Sequence, residues 1–287
     1  MLARLFVAFQ YLLPQHALSR LVGWLAGLEW RPLKTLLIGG FMRLYRVDLA
    51  EAADPDPHAY PSFNAFFTRG LAEGARPQPA DPAVVSSPVD GSVSLSGRLD
   101  RGRLLQAKGF RYDLVSLLGG DCPEALARGW FATLYLAPWN YHRIHAPVTG
   151  QLREMRYLPG RLFSVNGLTV SALPRLFSRN ERVACLFETA LGPVAVVLVG
   201  ALNVGSIETT WAGRVAPGPD RKPATWHYPA SGEGAVRLAR GAELGRFNLG
   251  STVIVVLPEH ATLAPDIVSG AAVRVGQTLA WPARQPA

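Results

Sequence analysis

Residues 243–257 read Glu-Leu-Gly-Arg-Phe-Asn-Leu-Gly-Ser-Thr-Val-Ile-Val-Val-Leu and contain two contrasting parts. The second part, Val253–Leu257, is an unbroken apolar run, which predicts a strand buried on both faces. The first part ends in Gly250 and Ser251, at the mouth of that strand. Because glycine has no side chain to shield its carbonyl and can adopt strained backbone angles, the peptide bond before Ser251 is open to attack by the serine hydroxyl. An ordinary turn leading into a strand is the alternative.

Short strand-like runs punctuated by glycine and proline extend from about Val84 onwards. Trp130–Leu136 and Val194–Val199 are two examples. Ser87–Val93 and Ala146–Leu152 share the pattern x-Pro-Val-x-Gly-x-apolar, which is typical of tight turns in a sandwich or barrel. Biotinyl and lipoyl carrier domains have similar glycine spacing, but they need a lysine at a hairpin tip, and no lysine of this chain is so placed. We therefore predict the α+β class, with N-terminal amphipathic helices on a predominantly antiparallel β-sandwich or barrel-like core.

The first fifty residues have a helical pattern. Apolar side chains recur every three or four positions from Leu2 to Leu13 and from Leu18 to Leu28, and Pro32 can open a third helix. This segment has six basic and two acidic residues, a net charge of +4. Apolar helices with basic flanks are typical of surfaces that lie in the membrane interface, whereas packing on the protein's own core is the alternative. No apolar run reaches the ~18–20 residues of a membrane span, and we predict no cleaved signal peptide.

The composition narrows the possible chemistry. The chain has 287 residues and a formal net charge of +8, which suits an anionic partner such as nucleic acid or an acidic membrane surface. Its arginines are dispersed and no nucleic-acid motif is present, so we predict no nucleic-acid binding. The three lysines, Lys34, Lys108 and Lys222, lie in no context that would hold pyridoxal phosphate. Cys122 and Cys185 provide neither a disulfide framework nor a metal-like spacing.

Two histidines and an aspartate complete the set of candidate catalytic residues. His142 and His145 lie three positions apart, so they would face opposite sides of an extended strand or converge on a turn or helix. Without a nearby third ligand they make a poor zinc site, and we predict acid–base chemistry and no metal. Asp90 lies in an Asp-Gly sequence that is typical of a turn. Ser251, a histidine and Asp90 together are the inventory of an activated hydroxyl nucleophile.

Several segments, spread over most of the chain, match a known family in order and spacing. They are Phe63-Asn-Ala-Phe-Phe-Thr-Arg69, Ser87-Pro-Val-Asp-Gly91, Lys108-Gly-Phe-Arg-Tyr112, Tyr141-His-Arg-Ile-His145, Leu162-Phe-Ser-Val-Asn166, Asn180-Glu-Arg182, Val204-Gly-Ser-Ile207 and Glu243-Leu-Gly-Arg-Phe-Asn-Leu-Gly-Ser-Thr252. This set resembles the phosphatidylserine decarboxylase proenzyme family of the bacterial and mitochondrial membrane type. The departures are small: Asn140, for example, stands where some members carry an acid.

The resemblance implies a chemistry of two stages. In maturation, Asp90 would orient His145, and His145 would take the proton of Ser251, whose hydroxyl attacks the carbonyl of Gly250. Elimination then separates a β chain, residues 1–250, from an α chain, residues 251–287, which begins with a pyruvoyl group as its covalent cofactor. In turnover the pyruvoyl ketone would form a Schiff base with the amine of phosphatidylserine, and loss of CO2 would give phosphatidylethanolamine. His142 is the candidate for handling the carboxylate or supplying the proton.

The resemblance also implies how the protein is organised. Residues 1–50 would form an amphipathic helical membrane-associating segment, and residues 51–287 a β-rich catalytic domain. The implied partners are phosphatidylserine in an anionic membrane and the two fragments of the precursor, and we expect a dimer of the processed heterodimer. The implied location is the cytoplasmic face of the cell membrane, with peripheral attachment.

Two other classes of protein remain as alternatives. One is a Ser-His-Asp hydrolase acting in trans, which would leave the chain intact; it usually places its serine on a Gly-x-Ser-x-Gly elbow, which the sequence around Ser251 lacks. The other is a non-catalytic membrane-bound β-sandwich carrier, which predicts neither cleavage nor a ketone.

Overall fold

A computed structural model of the chain describes residues 2–202, 206–218 and 220–283. The family segment Val204-Gly-Ser-Ile207 therefore lies partly outside the described residues. The helices are α1 (Leu2–Leu12), α2 (Gln15–Gly27), α3 (Arg31–Tyr45), α4 (Phe63–Phe67), α5 (Leu114–Leu118), α6 (Glu124–Ala127), α7 (Gly167–Val170) and α8 (Leu176–Arg179), with a 3-10 turn at Ala107–Gly109. The strands are β1 (Val85–Ser86), β2 (Gly91–Arg98), β3 (Arg103–Leu105), β4 (Arg111–Asp113), β5 (Trp130–Tyr135), β6 (Arg143–His145), β7 (Gly150–Leu158), β8 (Arg182–Thr189), β9 (Gly192–Val199), β10 (Ile207–Thr209), β11 (Gly213–Ala216), β12 (Ala224–His227), β13 (Arg237–Leu238), β14 (Glu243–Phe247), β15 (Thr252–Leu257), β16 (Ala261–Leu263), β17 (Ala272–Val273) and β18 (Thr278–Pro282).

The apolar run after Ser251 forms the middle of the largest sheet. That sheet follows the order β12-β7-β8-β9-β15-β5-β2-β17, with β13 also paired to β7. Strand β15 pairs with β5 on one side and β9 on the other, and all six of its residues are buried. Its valines and isoleucine suit this position because β-branched side chains pack well on both faces of a central strand. The predicted buried strand is confirmed.

The candidate cleavage segment connects two sheets. A smaller sheet has the order β11-β10-β14-β6, and residues 248–251 lead from its strand β14 into β15 of the large sheet. The pairs between strands are antiparallel, which confirms the predicted α+β class. Neither strand path returns to its start, so the described strands form no closed barrel.

The two similar turn sequences each begin a strand at their glycine. Gly91 opens β2 and Gly150 opens β7. A Cβ atom at Gly91 would overlap the carbonyl oxygen of Tyr135 in β5, so no larger residue fits there without moving the backbone. The glycine pattern in the sequence thus indicates close approach between strands.

The three N-terminal helices pack on the β-rich part and also expose apolar side chains. The side chains of Gln10 and Gln15 are buried, and each accepts a hydrogen bond from a backbone N–H of the core, that of Ser164 at 2.7 Å and that of Leu162 at 2.9 Å. No helix in the described part of the chain is both long and apolar enough to cross a bilayer. The large apolar side chains that these helices expose are Leu5, Phe9, Tyr11, Leu12, Leu21, Trp24, Leu25, Leu36 and Leu44, with Trp30 just before α3.

Candidate active site

The segment before Ser251 is held at both ends and strained between them. Asn248 donates from its side chain to Ser206 Oγ at 2.5 Å and to Glu208 Oε1 at 2.7 Å. The carbonyl of Ser251 accepts the N–H of Leu136 at 2.8 Å, which fixes the serine to the end of β5. Between these anchors Leu249 has φ +87° and Gly250 φ +22°. A leucine in the left-handed region costs on the order of 1–3 kcal/mol, so backbone strain is stored directly beside the Gly250–Ser251 bond.

The Ser251 side chain is fully buried, and its hydroxyl has no hydrogen-bond partner among the described residues. Thr252 Oγ1 and His142 Nδ1 share this property. A buried polar group without a partner costs about 1–3 kcal/mol and therefore needs an explanation. Three such atoms lie around one strained junction, which makes it the candidate active site.

His142 lies just before β6 against the candidate cleavage bond. A Cβ atom placed on Gly250 would lie 3.8 Å from Cε1 of His142, and the imidazole stacks on Phe67 with ring centroids 4.0 Å apart. Its Nε2 lies 3.2 Å from the carbonyl oxygen of Pro138, so Nε2 must be the donor and the buried Nδ1 carries the lone pair. Burial, with a smaller contribution from the charge of Arg69, lowers the pKa of His142 to about 3, so the imidazole is neutral at pH 7.

His145 lies at the other end of β6 in a more polar setting. Its Nδ1 is 2.7 Å from the carbonyl oxygen of Gly241 and therefore donates, while its Nε2 accepts from the Tyr141 hydroxyl at 2.9 Å. In the pairing of β6 with β14 it stands opposite Glu243. Burial lowers the pKa of His145, whereas the Gly241 carbonyl, Glu243 and Asp90 act to raise it. Both ring nitrogens are engaged in these hydrogen bonds, and neither is hydrogen-bonded to the hydroxyl of Ser251.

Asp90 lies in the bend before β2, as its Asp-Gly sequence predicts. Its carboxylate is ion-paired with Arg76 at 2.5 Å and accepts the N–H of Val275 at 2.8 Å. His145 does not donate a hydrogen bond to Asp90: Arg76 and the N–H of Val275 occupy the carboxylate oxygens, and the carbonyl of Gly241 accepts from Nδ1 of His145 in their place. Asp90 acts on His145 through its charge alone.

A cavity of about 320 Å³ lies beside the candidate cleavage bond, between the N-terminal helices and the sheets. Gly250 and Leu249 form part of its wall, and Ser164 and Asn166 give it a polar corner. Sequence reasoning assigned no role to Ser164, Asn166 or Phe67, although all three lie in segments that carry the family resemblance. The remaining lining residues are Val22, Phe41, Tyr45, Phe63, Phe67, Tyr135, Leu136, Pro138, Val165, Ala201 and Leu202.

In the described ranges no group of three or more His, Cys, Asp or Glu side chains lies close enough together to hold a metal ion. The two cysteines are also separate, with Cys185 buried and Cys122 partly exposed.

Fold and site together define an α+β enzyme built around a buried serine at a strained Gly-Ser junction. The family model described as phosphatidylserine decarboxylase matches residues 63–280, and a second, described as PSD, matches residues 5–46. The chain therefore belongs to the phosphatidylserine decarboxylase family. It is 51% identical to the phosphatidylserine decarboxylase proenzyme of Alkalilimnicola ehrlichii, over 95% of this chain and 94% of that one. It is 52% identical to that of Ectopseudomonas mendocina (96% and 97% covered) and 50% identical to that of Shewanella denitrificans (96% of each).

Proposed function

We propose that the chain is a proenzyme that cleaves itself between Gly250 and Ser251 and then converts phosphatidylserine to phosphatidylethanolamine and CO2. The observation that carries the proposal is the buried hydroxyl of Ser251, which has no hydrogen-bond partner among the described residues and directly follows the strained Leu249-Gly250 segment at the wall of a cavity. Membership of the family and the names of the relatives, which are decarboxylase proenzymes, support it.

Self-cleavage begins at the hydroxyl of Ser251. Its oxygen attacks the carbonyl carbon of Gly250, the C–N bond breaks, and the nitrogen of Ser251 takes up a proton as the ester forms. Removal of the Cα proton of Ser251 then breaks its Cβ–O bond and releases Gly250 as a carboxylate. One water molecule replaces the nitrogen, which leaves as ammonia, and a pyruvoyl group remains at position 251. The strain at Leu249 favours the first step because bond cleavage relieves it.

We assign to His145, on electrostatic grounds, the role of accepting the proton of the Ser251 hydroxyl. Asp90 and Glu243 both act to raise its pKa, so they would stabilise the imidazolium that forms when it takes the proton. His142 is the nearer histidine to Gly250, but no carboxylate of the described residues raises its pKa, and Arg69 lowers it. Because both nitrogens of His145 are engaged, it must exchange its hydrogen bond with Tyr141 before it acts on Ser251.

The residues around position 251 fit a pyruvoyl group. Nδ1 of His142 and Oγ1 of Thr252 are buried and have no partner in the described part of the chain, so they can form hydrogen bonds with new polar atoms at that position. When formed, the group supplies an electron-accepting ketone for Schiff-base chemistry with the amine of the lipid. His142 stays neutral through its burial, so it can hold or pass a proton beside the reacting carbon without adding a fixed charge.

The N-terminal helices suit a substrate that resides in a membrane. Helices α2 and α3 line the cavity through Val22, Phe41 and Tyr45, and the same helices expose Trp24 and Leu44 to solvent. Exposed apolar side chains beside a cavity allow a lipid to pass from the membrane interface to Gly250 without crossing water. We therefore propose peripheral attachment to the cytoplasmic face of the membrane through residues 1–50, with residues 51–287 as the catalytic domain.

The test is intact-mass spectrometry of the purified protein beside a Ser251→Ala variant. The wild type should give two chains, residues 1–250 and residues 251–287, the second with pyruvoyl in place of serine. Ser251→Ala should remain one folded, inactive chain. Ser231→Ala, at an exposed serine, is the matched control and should cleave as the wild type does. Active protein composed only of intact chains would overturn the proposal.

A further inference from the structure

A second cavity, of about 560 Å³, lies beside the turn between α1 and α2. Its wall includes His16 from α2, Arg161 after β7, Arg179 at the end of α8 and Arg221 after β11. A small adjoining cavity adds Arg20. We refer to these five side chains, His16, Arg20, Arg161, Arg179 and Arg221, as the basic basin.

The positive charge of the basic basin is not neutralised within the described part of the chain. None of its arginines forms an ion pair there. Arg179 donates to the hydroxyl of Tyr11 at 2.9 Å, and Arg221 donates to Nε2 of His16 at 2.6 Å. The one described carboxyl group in the lining is that of Glu181, which accepts the Tyr157 hydroxyl and whose pKa is raised by burial. Four guanidinium groups around two adjoining cavities with so little negative charge favour an anionic ligand, and the planar fork of arginine fits phosphate oxygens.

The position of the basic basin indicates which anion it meets. His16, Arg20 and Trp24 follow one another at four-residue intervals on α2, so they lie along one side of the helix. Trp24 is 62% exposed, and on α1 Leu12 is 84% exposed. A basic cluster next to exposed apolar side chains is the arrangement of a surface that meets anionic lipid.

The basic basin also borders the candidate active site through shared elements. Helix α2 contributes His16 and Arg20 to the basin and Val22 to the cavity beside Gly250. The segment after β7 contributes Arg161 to the basin and Ser164 to that cavity. A ligand in the basin would therefore fix the two elements that form one side of the active-site cavity.

We propose that the basic basin binds the phosphate of an anionic phospholipid that is not the substrate and so docks the protein on the membrane. The membrane setting rests on the proposed function, whereas the basin itself does not depend on cleavage or on decarboxylation. A lipid phosphate bound in the basic basin would hold α2 at the membrane surface and keep the cavity beside Gly250 directed toward the membrane.

Binding to vesicles tests the proposal with the full-length protein. The vesicles consist of phosphatidylcholine with or without phosphatidylglycerol, so they offer anionic phosphate and no substrate amine. The variant carries Arg161→Gln, Arg179→Gln and Arg221→Gln, and the matched control carries Arg101→Gln, Arg153→Gln and Arg237→Gln at exposed arginines outside the basin. The basin variant should bind phosphatidylglycerol vesicles at least about 10-fold more weakly than the control. Equal affinity of the two would overturn the proposal.

A second measurement separates a membrane lipid from a soluble anion. Inorganic phosphate is added to each protein, and the melting temperature is recorded. If phosphate stabilises the wild type but not the basin variant while vesicle binding is unchanged, the basin is a soluble-anion site and the lipid proposal is wrong. If the triple variant does not fold, the single variants Arg161→Gln and Arg179→Gln carry the same comparison. Intact mass of the same preparations reports cleavage separately, so a failure of the proposed function does not affect this result.

Discussion

The surroundings of His142, just before β6, and of His145, at its end, differ although only two residues separate them. His142 is fully buried against Phe67 and Gly250, and burial brings its pKa to about 3. His145 is partly exposed, with hydrogen bonds to Tyr141 and Gly241, and nearby carboxylates oppose the effect of burial on its pKa. Burial thus lowers the pKa of both histidines, but only at His145 do carboxylates partly offset its effect.

The histidine that lies nearest the candidate cleavage bond is therefore not the one whose surroundings better support a positive charge. The ring nearest the candidate cleavage bond is in the worse environment for positive charge, because it lies in an apolar pocket near Arg69. The ring with the supporting carboxylates is hydrogen-bonded elsewhere. A general base must both reach its proton and tolerate the charge it gains, and each histidine meets one of these requirements. Single substitutions can show which requirement decides the role.

The largest effect is expected for His145→Ala. Without the imidazole that Asp90 and Glu243 stabilise, self-cleavage should slow by at least about 10³-fold. Intact mass measured over time after synthesis follows the fraction of cleaved chain. Asp90→Ala should also block maturation, because it removes part of the charge that supports the imidazolium and leaves Arg76 without its main partner.

The same measurement on His142→Ala is the control for that prediction. The two substitutions delete the same side chain three positions apart, and His142 is the more deeply buried of the two, so a loss of cleavage caused only by poor folding should be at least as large in His142→Ala. If His142→Ala blocks cleavage and His145→Ala does not, the base is His142, and proximity outweighs electrostatics at this site.

A smaller effect is expected for His142→Ala in the decarboxylation step. This variant should cleave, yet the rate of CO2 release from phosphatidylserine should fall about 100-fold, because the neutral imidazole beside the reacting carbon is gone. The assay uses cleaved protein only, purified as the two-chain form. Full activity of cleaved His142→Ala would remove this residue from the reaction.

The sequence alone was enough to predict several of these features. The helices at the N-terminus and the buried strand after Ser251 follow from apolar periodicity and from an unbroken β-branched run. These are local patterns, in which neighbours along the chain determine the structure. Ser251 also lies in a local pattern, a glycine before an apolar strand, but an ordinary turn explains that pattern as well, and the family resemblance singled this serine out as the candidate.

Other features depend on contacts that sequence patterns do not encode. The pairing of Asp90 with Arg76 joins two loops, and neither loop has a periodicity that brings them together. The carbonyl of Gly241 that orients His145 is a backbone group, which every residue carries. The left-handed φ of Leu249 contradicts the usual preference of leucine, so it arises from the two anchored ends of the segment. The spacing of His142 and His145 fitted either opposite faces of a strand or convergence on a turn or helix, and the sequence did not decide between the two.

The last prediction uses pH to test the burial of His142 directly. Its pKa is about 3 in the folded protein and about 6.5 in an unfolded chain, so below pH 6.5 the unfolded chain gains a proton that the folded protein does not. The free energy of unfolding must therefore fall as the pH drops from about 6.5 to about 3, with a loss of about 2 kcal/mol between pH 7 and pH 5 from this group. Urea unfolding of Ser251→Ala protein at pH 7 and at pH 5 measures this loss of stability. In the double variant Ser251→Ala, His142→Gln, the loss between the two pH values should be smaller by about 2 kcal/mol. His58→Gln, at an exposed position, should not reduce the loss. An equal loss with and without His142 would mean that its ring is hydrated in solution.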